Sequence, residues 1–281
     1  MEENTKTVAK RKKDEITEQV LKRVQALSSS GDLKIHKDYS AENAIKSAYL
    51  ILSETLDKNK KPVLETCSTV SVANSLLKMV TQGLNCYKKQ GYFIAYAGKL
   101  EFVRSYIGDV FIGKRDANMK TVIAQAVYAK DIFKFNVDVE TGNKQILEHE
   151  QTLQSLNSAV TGAYCIIEFN DGTKYVDIMP IEKITTSWNQ RKGNGLTDAH
   201  KKFPDEMSKR TIIKRACKVF INTANDTYDE AKSMEAEVNQ VIKDEANNEE
   251  LDINDIEYEE VKEPIKAPIV EETKETEADP F

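Results

Sequence analysis

Residues 87–106, YKKQGYFIAYAGKLEFVRSY, mark the point where the sequence pattern changes from helical to extended. Before this stretch, apolar residues recur at helical spacing, and we expect helices over about residues 16–27, 41–56 and 71–81. Within it, two aromatic-rich runs flank Ala97-Gly98-Lys99, which predicts a β-hairpin. The stretch therefore begins the sheet-forming part of the chain.

The rest of the body shows no regular alternation of strand and helix. The elements expected after the hairpin are helices over about 105–114, from Pro180 toward Trp188 and over 204–224, and strands over 121–128, 132–137, 163–169 and 174–179. We expect a long, mobile connection over the polar residues 138–158. Asp171-Gly172 supplies the positive φ that a tight hairpin turn requires. Helices, then strands, then helices predict an α+β fold in which antiparallel β-hairpins pack with helices.

Charge is distributed unevenly along the chain. Residues 1–228 carry 35 Lys and Arg against 27 Asp and Glu, a net charge of +8, and residues 229–281 carry 5 against 19, a net charge of −14. We expect a flexible basic N-terminus (1–13), a folded core (14–228) and an acidic, largely disordered tail (229–281). A basic body with an acidic tail indicates a polyanion partner, with the tail as competitor or handle.

Cysteine and histidine usage argues against a metal centre. The four cysteines (Cys67, Cys86, Cys165 and Cys217) form no CxxC pair and are expected to be buried free thiols in a reducing cytoplasm. The three histidines are also scattered, whereas a zinc site needs clustered ligands. No run of 18 apolar residues is present, so no membrane span is expected. We expect no cofactor and no metal.

The helix expected over 204–224 carries a row of cations. Projection at 100° per residue places Arg210, Lys214 and Lys218 on one side of this helix. The opposite, apolar side holds Ile212, Ile213, Ala216, Val219 and Phe220. Like charges at i, i+4 repel, and a phosphate backbone would relieve that repulsion. The row therefore predicts nucleic-acid binding, and an ordinary solvated helix face is the alternative.

Aromatic and basic residues are interleaved in two other places. In residues 87–106, Tyr92, Tyr96 and Tyr106 are candidates for stacking on unpaired bases, beside Lys99 and Arg104, although aromatics on strands are more often core residues. The only tryptophan is either an anchor that packs a loop or a stacking platform. It lies in a polar, basic stretch that contains Trp188, Asn189, Arg191 and Lys192.

Residues 108–115, GDVFIGKR, nearly match a nucleotide-binding loop. The loop requires Ser or Thr after GxxxxGK to bind Mg²⁺, and Arg115 stands at that position. The apolar interior of the segment is typical of a packed helix, whose basic end would be Lys114 and Arg115. Because no Ser/His/Asp or Cys/His arrangement has a recognisable spacing either, we expect a protein that is not an enzyme.

Several short stretches, taken in order, resemble the RecT family. They span residues 40–225, although Thr69 and Ala95 stand where the family usually has proline. The stretches are Cys67–Val72, Gln82–Asn85, Lys99–Phe102, Tyr106–Gly108, Ser187-Trp188 and Met207–Thr211, with basic residues continuing to Lys218.

This resemblance implies a phage or prophage recombinase that binds single-stranded DNA and anneals complementary strands without ATP. It also implies homo-oligomeric rings or helical filaments and a partner exonuclease. Arg210, Lys214, Arg215 and Lys218 would hold one strand, and Lys99, Arg104, Lys114 and Arg115 would line the opposite wall. The alternative is a regulatory protein that binds double-stranded DNA, or a structural scaffold.

The last three residues, Asp279-Pro280-Phe281, resemble the acidic tip of bacterial single-stranded-DNA-binding proteins. That tip is a docking peptide for replication and repair partners. The resemblance implies that the tail contacts partners of the same kind.

Overall fold

The computed structural model describes residues 18–31, 33, 35–189 and 196–224. Helices lie before, between and after antiparallel strands, which confirms the α+β prediction. The helices are α1 (described from residue 18 to residue 30), α2 (Ala41–Glu54), α3 (Val63–Thr66), α4 (Thr69–Thr81), α5 (Tyr106–Asp116), α6 (Ile181–Trp188), α7 (Asp198–Lys202) and α8 (Pro204–Thr223). The strands are β1 (Gly91–Tyr96), β2 (Lys99–Arg104), β3 (Met119–Tyr128), β4 (Ile132–Val137), β5 (Lys144–Glu150), β6 (Val160–Phe169) and β7 (Lys174–Pro180).

Serine caps set the beginnings of three helices. The hydroxyls of Ser40, Ser68 and Ser105 accept hydrogen bonds from backbone amides in the first turns of α2, α4 and α5. Each cap satisfies a helix N–H that would otherwise lack a partner. Helix α8 begins differently, with Pro204 in its first turn followed by Asp205 and Glu206, whose charges complement the helix dipole.

The strands form one three-stranded sheet and two separate hairpins. The sheet has the order β3-β6-β7 and is antiparallel throughout. The predicted hairpin β1–β2 pairs Tyr96 with Lys99 across its turn. In the turn between β6 and β7, Gly172 has φ +85°, as the Asp-Gly pair predicted.

Two groups of elements share the hydrophobic core. In the first, α2 packs on α4 and α4 packs on β2, and Leu52, Leu76 and Met79 are fully buried. In the second, α8 lies across β6 and β3, with Ile212 and Ala216 fully buried. Helix α5 joins the two groups because it contacts β2, β3 and α8. All four cysteines are buried free thiols, as expected.

The prediction of a mobile connection over residues 138–158 is wrong. Residues 144–150 form β5, which pairs with β4, and a short 3₁₀ turn follows at Ser155–Asn157. The strand was missed because KQILEHE lacks the apolar alternation of a half-buried strand. Its fixed position comes from polar contacts, described below, that reach the central sheet.

The expected apolar side of α8 is rotated relative to the helix in the structure. Val219 is 54% exposed, whereas Cys217 and Ser208 are buried. Phe220 remains on the packed side, where its ring contacts the rings of Phe169 and Tyr175. The consequence is that the row of cations faces α5 at one end of the helix and solvent at the other.

Candidate nucleic-acid interface

Helix α8 places two of its cations beside the beginning of α5. The Lys214 ammonium donates to the backbone oxygen of Arg104 at 3.2 Å. The Arg210 guanidinium lies over the Tyr106 ring, 5.4 Å from its centroid. These residues are four apart on α8, so they share a side of that helix. We call Arg104, Tyr106, Arg210 and Lys214 the α5–α8 cluster.

Arg104 is held by a carboxylate of α5. Its Nε lies 2.5 Å from Oδ1 of Asp109, whose side chain is buried. The Asp109 carboxylate therefore offsets one of the three positive charges of the cluster. Together with Asp109, the cluster keeps a net charge of about +2 at neutral pH. It also lies at the N-terminus of α5, where the helix dipole favours anions.

Packing fixes the orientation of the cluster. Tyr106, Arg210 and Lys214 are half-buried, and the Nε atom of Arg210 is turned into the protein. Gly108 allows α5 to approach the residue that precedes β1, because a Cβ at position 108 would lie 2.1 Å from the backbone oxygen of Gln90. The cations are therefore carried by packed helices and strands. Their side chains lose less conformational entropy on binding an anion than mobile surface side chains would lose.

Two further cations of α8 lie outside this cluster. Lys218 continues the row one turn beyond Lys214 and is exposed. Arg215 is half-exposed and pairs with Asp177 of β7, with its Nε 3.1 Å from Oδ2. Asp177 is buried and also pairs with Lys144 of β5 at 3.2 Å. Arg215 thus belongs to an internal ion-pair network that joins α8, the central sheet and the β4–β5 hairpin.

The predicted wall of Lys99, Arg104, Lys114 and Arg115 is not one surface. Lys99 and Arg104 are at opposite ends of β2, which spans about 17 Å. Lys114 is exposed near the end of α5. The Arg115 guanidinium makes two hydrogen bonds to Asp116 and one to the backbone oxygen of Gln82. Of the four, Arg104 alone is in the α5–α8 cluster.

The structure supports the anchor interpretation of Trp188 and contradicts the stacking one. The side chain is 3% exposed, so its faces are closed to a base. Its indole N–H donates to Thr211 Oγ1 at 2.8 Å, and its ring packs on His200 with the centroids 4.6 Å apart. Trp188 therefore ties α6 and α7 to α8.

The remaining predicted contacts are spread over the surface or lie outside the described residues. Asn189 is exposed at the end of α6, Tyr92 is half-buried, and Tyr96 is 45% exposed with the Lys58 ammonium 5.1 Å from its ring centroid. Arg191, Lys192, Asp279, Pro280 and Phe281 lie outside the described residues.

The sequence did not predict a buried polar cluster that surrounds Asp131 in the structure. His149 of β5 lies 3.1 Å from an oxygen of Asp131 and 3.0 Å from the Tyr164 hydroxyl. Burial alone would raise the pKa of Asp131, but hydrogen bonds from surrounding side chains and from the Tyr128 amide lower this pKa to about 2. Asp131 is therefore a carboxylate in the folded protein at neutral pH.

Asp131, His149 and Tyr164 contact one another in the order of a catalytic relay, but their surroundings are those of a cluster that stabilises the fold. Burial, together with the Asp131 charge, raises the pKa of Tyr164, which makes its hydroxyl a poorer nucleophile. The Tyr164 ring is 7% exposed and stacks on Phe133 with the centroids 5.5 Å apart. The cluster ties β5 to β6 and explains why the β4–β5 hairpin is ordered.

The described residues offer neither a metal site nor a helix that could span a membrane. No three His, Cys, Asp or Glu side chains among them are grouped as metal ligands would be. Helices in this part of the chain are all too short or too polar to cross a membrane.

The RecT family model matches residues 42–257 of the chain. The matched range contains α2 from its second residue, α3 to α8, the seven strands of the described residues and therefore the whole α5–α8 cluster. No curated protein matches the chain.

Proposed function

Because the chain belongs to the RecT family, we propose that it binds single-stranded DNA and anneals complementary strands in phage homologous recombination. The observation that carries the proposal is the α5–α8 cluster, in which three cations and one aromatic ring meet at a helix N-terminus. In this proposal the cluster holds the phosphates of one strand. The exposed Lys218 extends the track along α8.

The spacing of the cations suits a single strand. Residues four apart on a helix are roughly 6 Å apart along its axis, which is comparable with the separation of successive phosphates. A strand held by its backbone keeps its bases free to face outward. A second strand is then tested by Watson–Crick pairing, so the protein has no need to read sequence.

Annealing in this scheme uses no ATP. The segment that nearly matches a nucleotide-binding loop is helix α5 itself, so its backbone N–H groups beyond the first turn are used within the helix. Gly108 serves the close approach to Gln90 rather than a phosphate cradle. The binding energy for DNA then comes from phosphate contacts and from pairing between the strands.

We also propose that the protein forms homo-oligomers and works with a partner exonuclease. The acidic residues 229–281 would contact partner proteins, and Asp279, Pro280 and Phe281 would serve as a docking tip. A flexible basic N-terminus, a core for DNA binding and assembly, and a partner-binding tail remain the proposed domain organisation.

Replacement of the lysines on α8 tests the DNA track. Lys214→Ala combined with Lys218→Ala is expected to weaken oligonucleotide binding regardless of sequence. The slope of log K against log salt becomes shallower by roughly 0.7 for each phosphate that the variant no longer neutralises. Fluorescence anisotropy over a salt series measures this slope.

Lys130→Ala is a suitable control, since Lys130 is exposed in the turn after β3. Lys218→Ala alone separates the charge effect from packing, because Lys214 also contacts the Arg104 carbonyl. An unchanged slope in the double variant would exclude α8 from the DNA-binding surface.

A further inference from the structure

A tyrosine ring is displayed to solvent on a short turn between α4 and β1. Tyr87 is 78% exposed and belongs to a 3₁₀ turn over Cys86–Lys88. The side-chain oxygen of Asn85 accepts a hydrogen bond from the Tyr87 amide at 2.9 Å. The Asn85 amide in turn donates to the side-chain oxygen of Gln90 at 2.8 Å, and Gln90 is buried. The backbone beneath the ring is therefore fixed, although the ring itself is open to solvent.

The same turn is joined to the beginning of α5. The hydroxyl of Ser105, which caps α5, donates to the Lys89 carbonyl at 2.6 Å, and the Ser105 amide donates to the Gln90 carbonyl at 3.1 Å. Ser105 stands between Arg104 and Tyr106, two members of the α5–α8 cluster. The exposed tyrosine is two residues before Lys89, a span of at most about 7 Å. The ring and the cluster are therefore close enough for one short stretch of a strand to contact both.

The part of the chain that carries the turn is basic. Residues 66–100 contain four lysines and no aspartate or glutamate. Lys88 directly follows the tyrosine and is exposed, and Lys89 is half-buried. A phosphate beside the exposed ring would therefore be attracted by the same turn.

Carboxylates also lie at the beginning of α2, which contacts the turn. Glu42 is paired with Lys46, so the two side chains offset each other. Asp38 remains as an exposed negative charge before this helix. The ammonium groups of Lys88 and Lys89 outnumber it, and the turn keeps its attraction for a phosphate.

Tyr87 differs from the three tyrosines that the sequence marked as candidates for stacking. Tyr106 is half-buried and has the Arg210 guanidinium over its ring. Tyr92 is also half-buried, and Tyr96 lies at the end of the β1–β2 hairpin that is remote from α5. Of these four tyrosines, Tyr87 combines an open ring with a position beside the cluster.

We propose that Tyr87 is a base-stacking residue that makes the α5–α8 site selective for single-stranded over double-stranded DNA. The proposal rests on the proposed DNA binding and adds a contact that requires unpaired bases. An unpaired base offers a free face to an aromatic ring, and such stacking tolerates any base. In a duplex, neighbouring bases close these faces, so the ring contributes nothing. Lys88 contacts the phosphate next to the stacked base.

Stacking and phosphate contacts depend differently on salt. A lysine that neutralises a phosphate releases counterions, whereas stacking involves no charge. Loss of the Tyr87 ring should therefore lower the affinity for a single strand and leave the slope of log K against log salt unchanged. Lys88→Ala should make the same slope shallower by roughly 0.7.

Removal of the bases separates stacking from every other role of the ring. The probes are oligo(dT) and an abasic strand with the same number of phosphates, and fluorescence anisotropy of the full chain measures their binding. Tyr87→Ala is expected to weaken binding of oligo(dT) by roughly fivefold or more. Binding of the abasic strand and of a duplex should stay unchanged. Tyr87→Phe keeps the ring and should bind as the wild type does.

Two further variants support this comparison. Phe135→Ala is the matched control, because it removes an exposed aromatic ring from β4, outside the cluster. Tyr87→Leu keeps apolar bulk without an aromatic ring, and it should show the same loss on oligo(dT) as Tyr87→Ala. Thermal melting checks that each variant is folded.

Three results would overturn the proposal. Equal losses on oligo(dT) and on the abasic strand would assign Tyr87 a structural role. Equal losses on single strand and duplex would remove it from strand selectivity. No loss on any DNA would leave the ring to a protein contact. A wild type that anneals strands while Tyr87→Ala binds normally overturns this inference alone, whereas a wild type that binds no single-stranded DNA overturns the proposed function as well.

Discussion

At the scale of single residues, Trp188 shows how burial decides a role that sequence leaves open. A tryptophan in a polar, basic stretch fits a loop anchor and a base-stacking platform equally well. The neighbours that decide between them, Thr211 and His200, are distant in sequence. Their approach depends on how α6, α7 and α8 pack, and no local pattern encodes that packing.

Trp188→Phe is therefore expected to affect stability and not DNA binding. Loss of the hydrogen bond to Thr211 should lower the free energy of unfolding by about 1–2 kcal/mol. Urea denaturation measures this change, with the exposed Asn189→Ala as the control. A flattened salt slope for oligonucleotide binding in a folded Trp188→Phe protein would contradict the anchor role.

Asp131 gives the fold a predictable dependence on acid. Its pKa is lowered from 3.8 to about 2 in the folded protein, so its charged form favours folding. The resulting stability is fully present above pH 4 and is lost as the pH falls toward 2. The side chain is completely buried, and the shift corresponds to on the order of 2 kcal/mol.

Asp131→Asn should accordingly destabilise the protein at pH 7 and much less near pH 2. The difference in unfolding free energy between wild type and variant, measured from pH 7 to pH 2, is expected to shrink below pH 4. Glu182→Gln is a control, because Glu182 is an exposed carboxylate in the first turn of α6. If the difference in unfolding free energy stayed constant from pH 7 to pH 2, Asp131 would not be the source of the pH dependence.

At the scale of elements, the parts with strong local patterns were predicted and the polar parts were not. Apolar periodicity predicted α2 and α4, the apolar interior of residues 108–115 predicted α5, and the Asp-Gly turn predicted the β6–β7 hairpin. Strand β5 was missed because its anchors are Lys144 and His149, whose partners are Asp177, Asp131 and Tyr164. Pairing between polar residues that are this far apart in sequence leaves no periodic signal.

The same distinction applies to the candidate site. Arg210, Lys214 and Arg104 were predicted from charge pattern and family resemblance, and they meet in the α5–α8 cluster. Arg115 and Arg215 carry the same charge but lie outside the cluster, in ion pairs with Asp116 and Asp177, and Arg104 is itself paired with Asp109. A sequence pattern shows that a cation is present. Its position and its ability to contact DNA depend on the residues that pack around it in the folded protein.

Helix α5 depends on a glycine for its position. Gly108→Ala would place a Cβ 2.1 Å from the Gln90 backbone oxygen and should cost about 1–3 kcal/mol of stability. We also expect weaker oligonucleotide binding, because α5 carries Tyr106 and positions Arg104. Gly113→Ala is the matched control, since its Cβ would meet the flexible side chain of Met119. Equal effects of the two changes in thermal melting would contradict the close approach at Gly108.

At the scale of the whole molecule, the overall charge of −6 conceals two regions of opposite charge. Residues 1–228 carry +8 and contain the α5–α8 cluster. Residues 229–281 carry −14 and are proposed to contact partners rather than DNA. We propose that the core binds a strand and assembles with other copies, so that a continuous track of cations results from repetition of the subunits.

The central claim is that this protein pairs complementary strands through backbone contacts. The most direct test mixes two labelled complementary oligonucleotides with the full chain, without ATP, over a salt series. We predict that pairing is accelerated at low salt and that the acceleration falls steeply as salt rises, because each phosphate contact releases counterions. Absence of acceleration at every salt concentration, or acceleration only after ATP is added, would contradict the account.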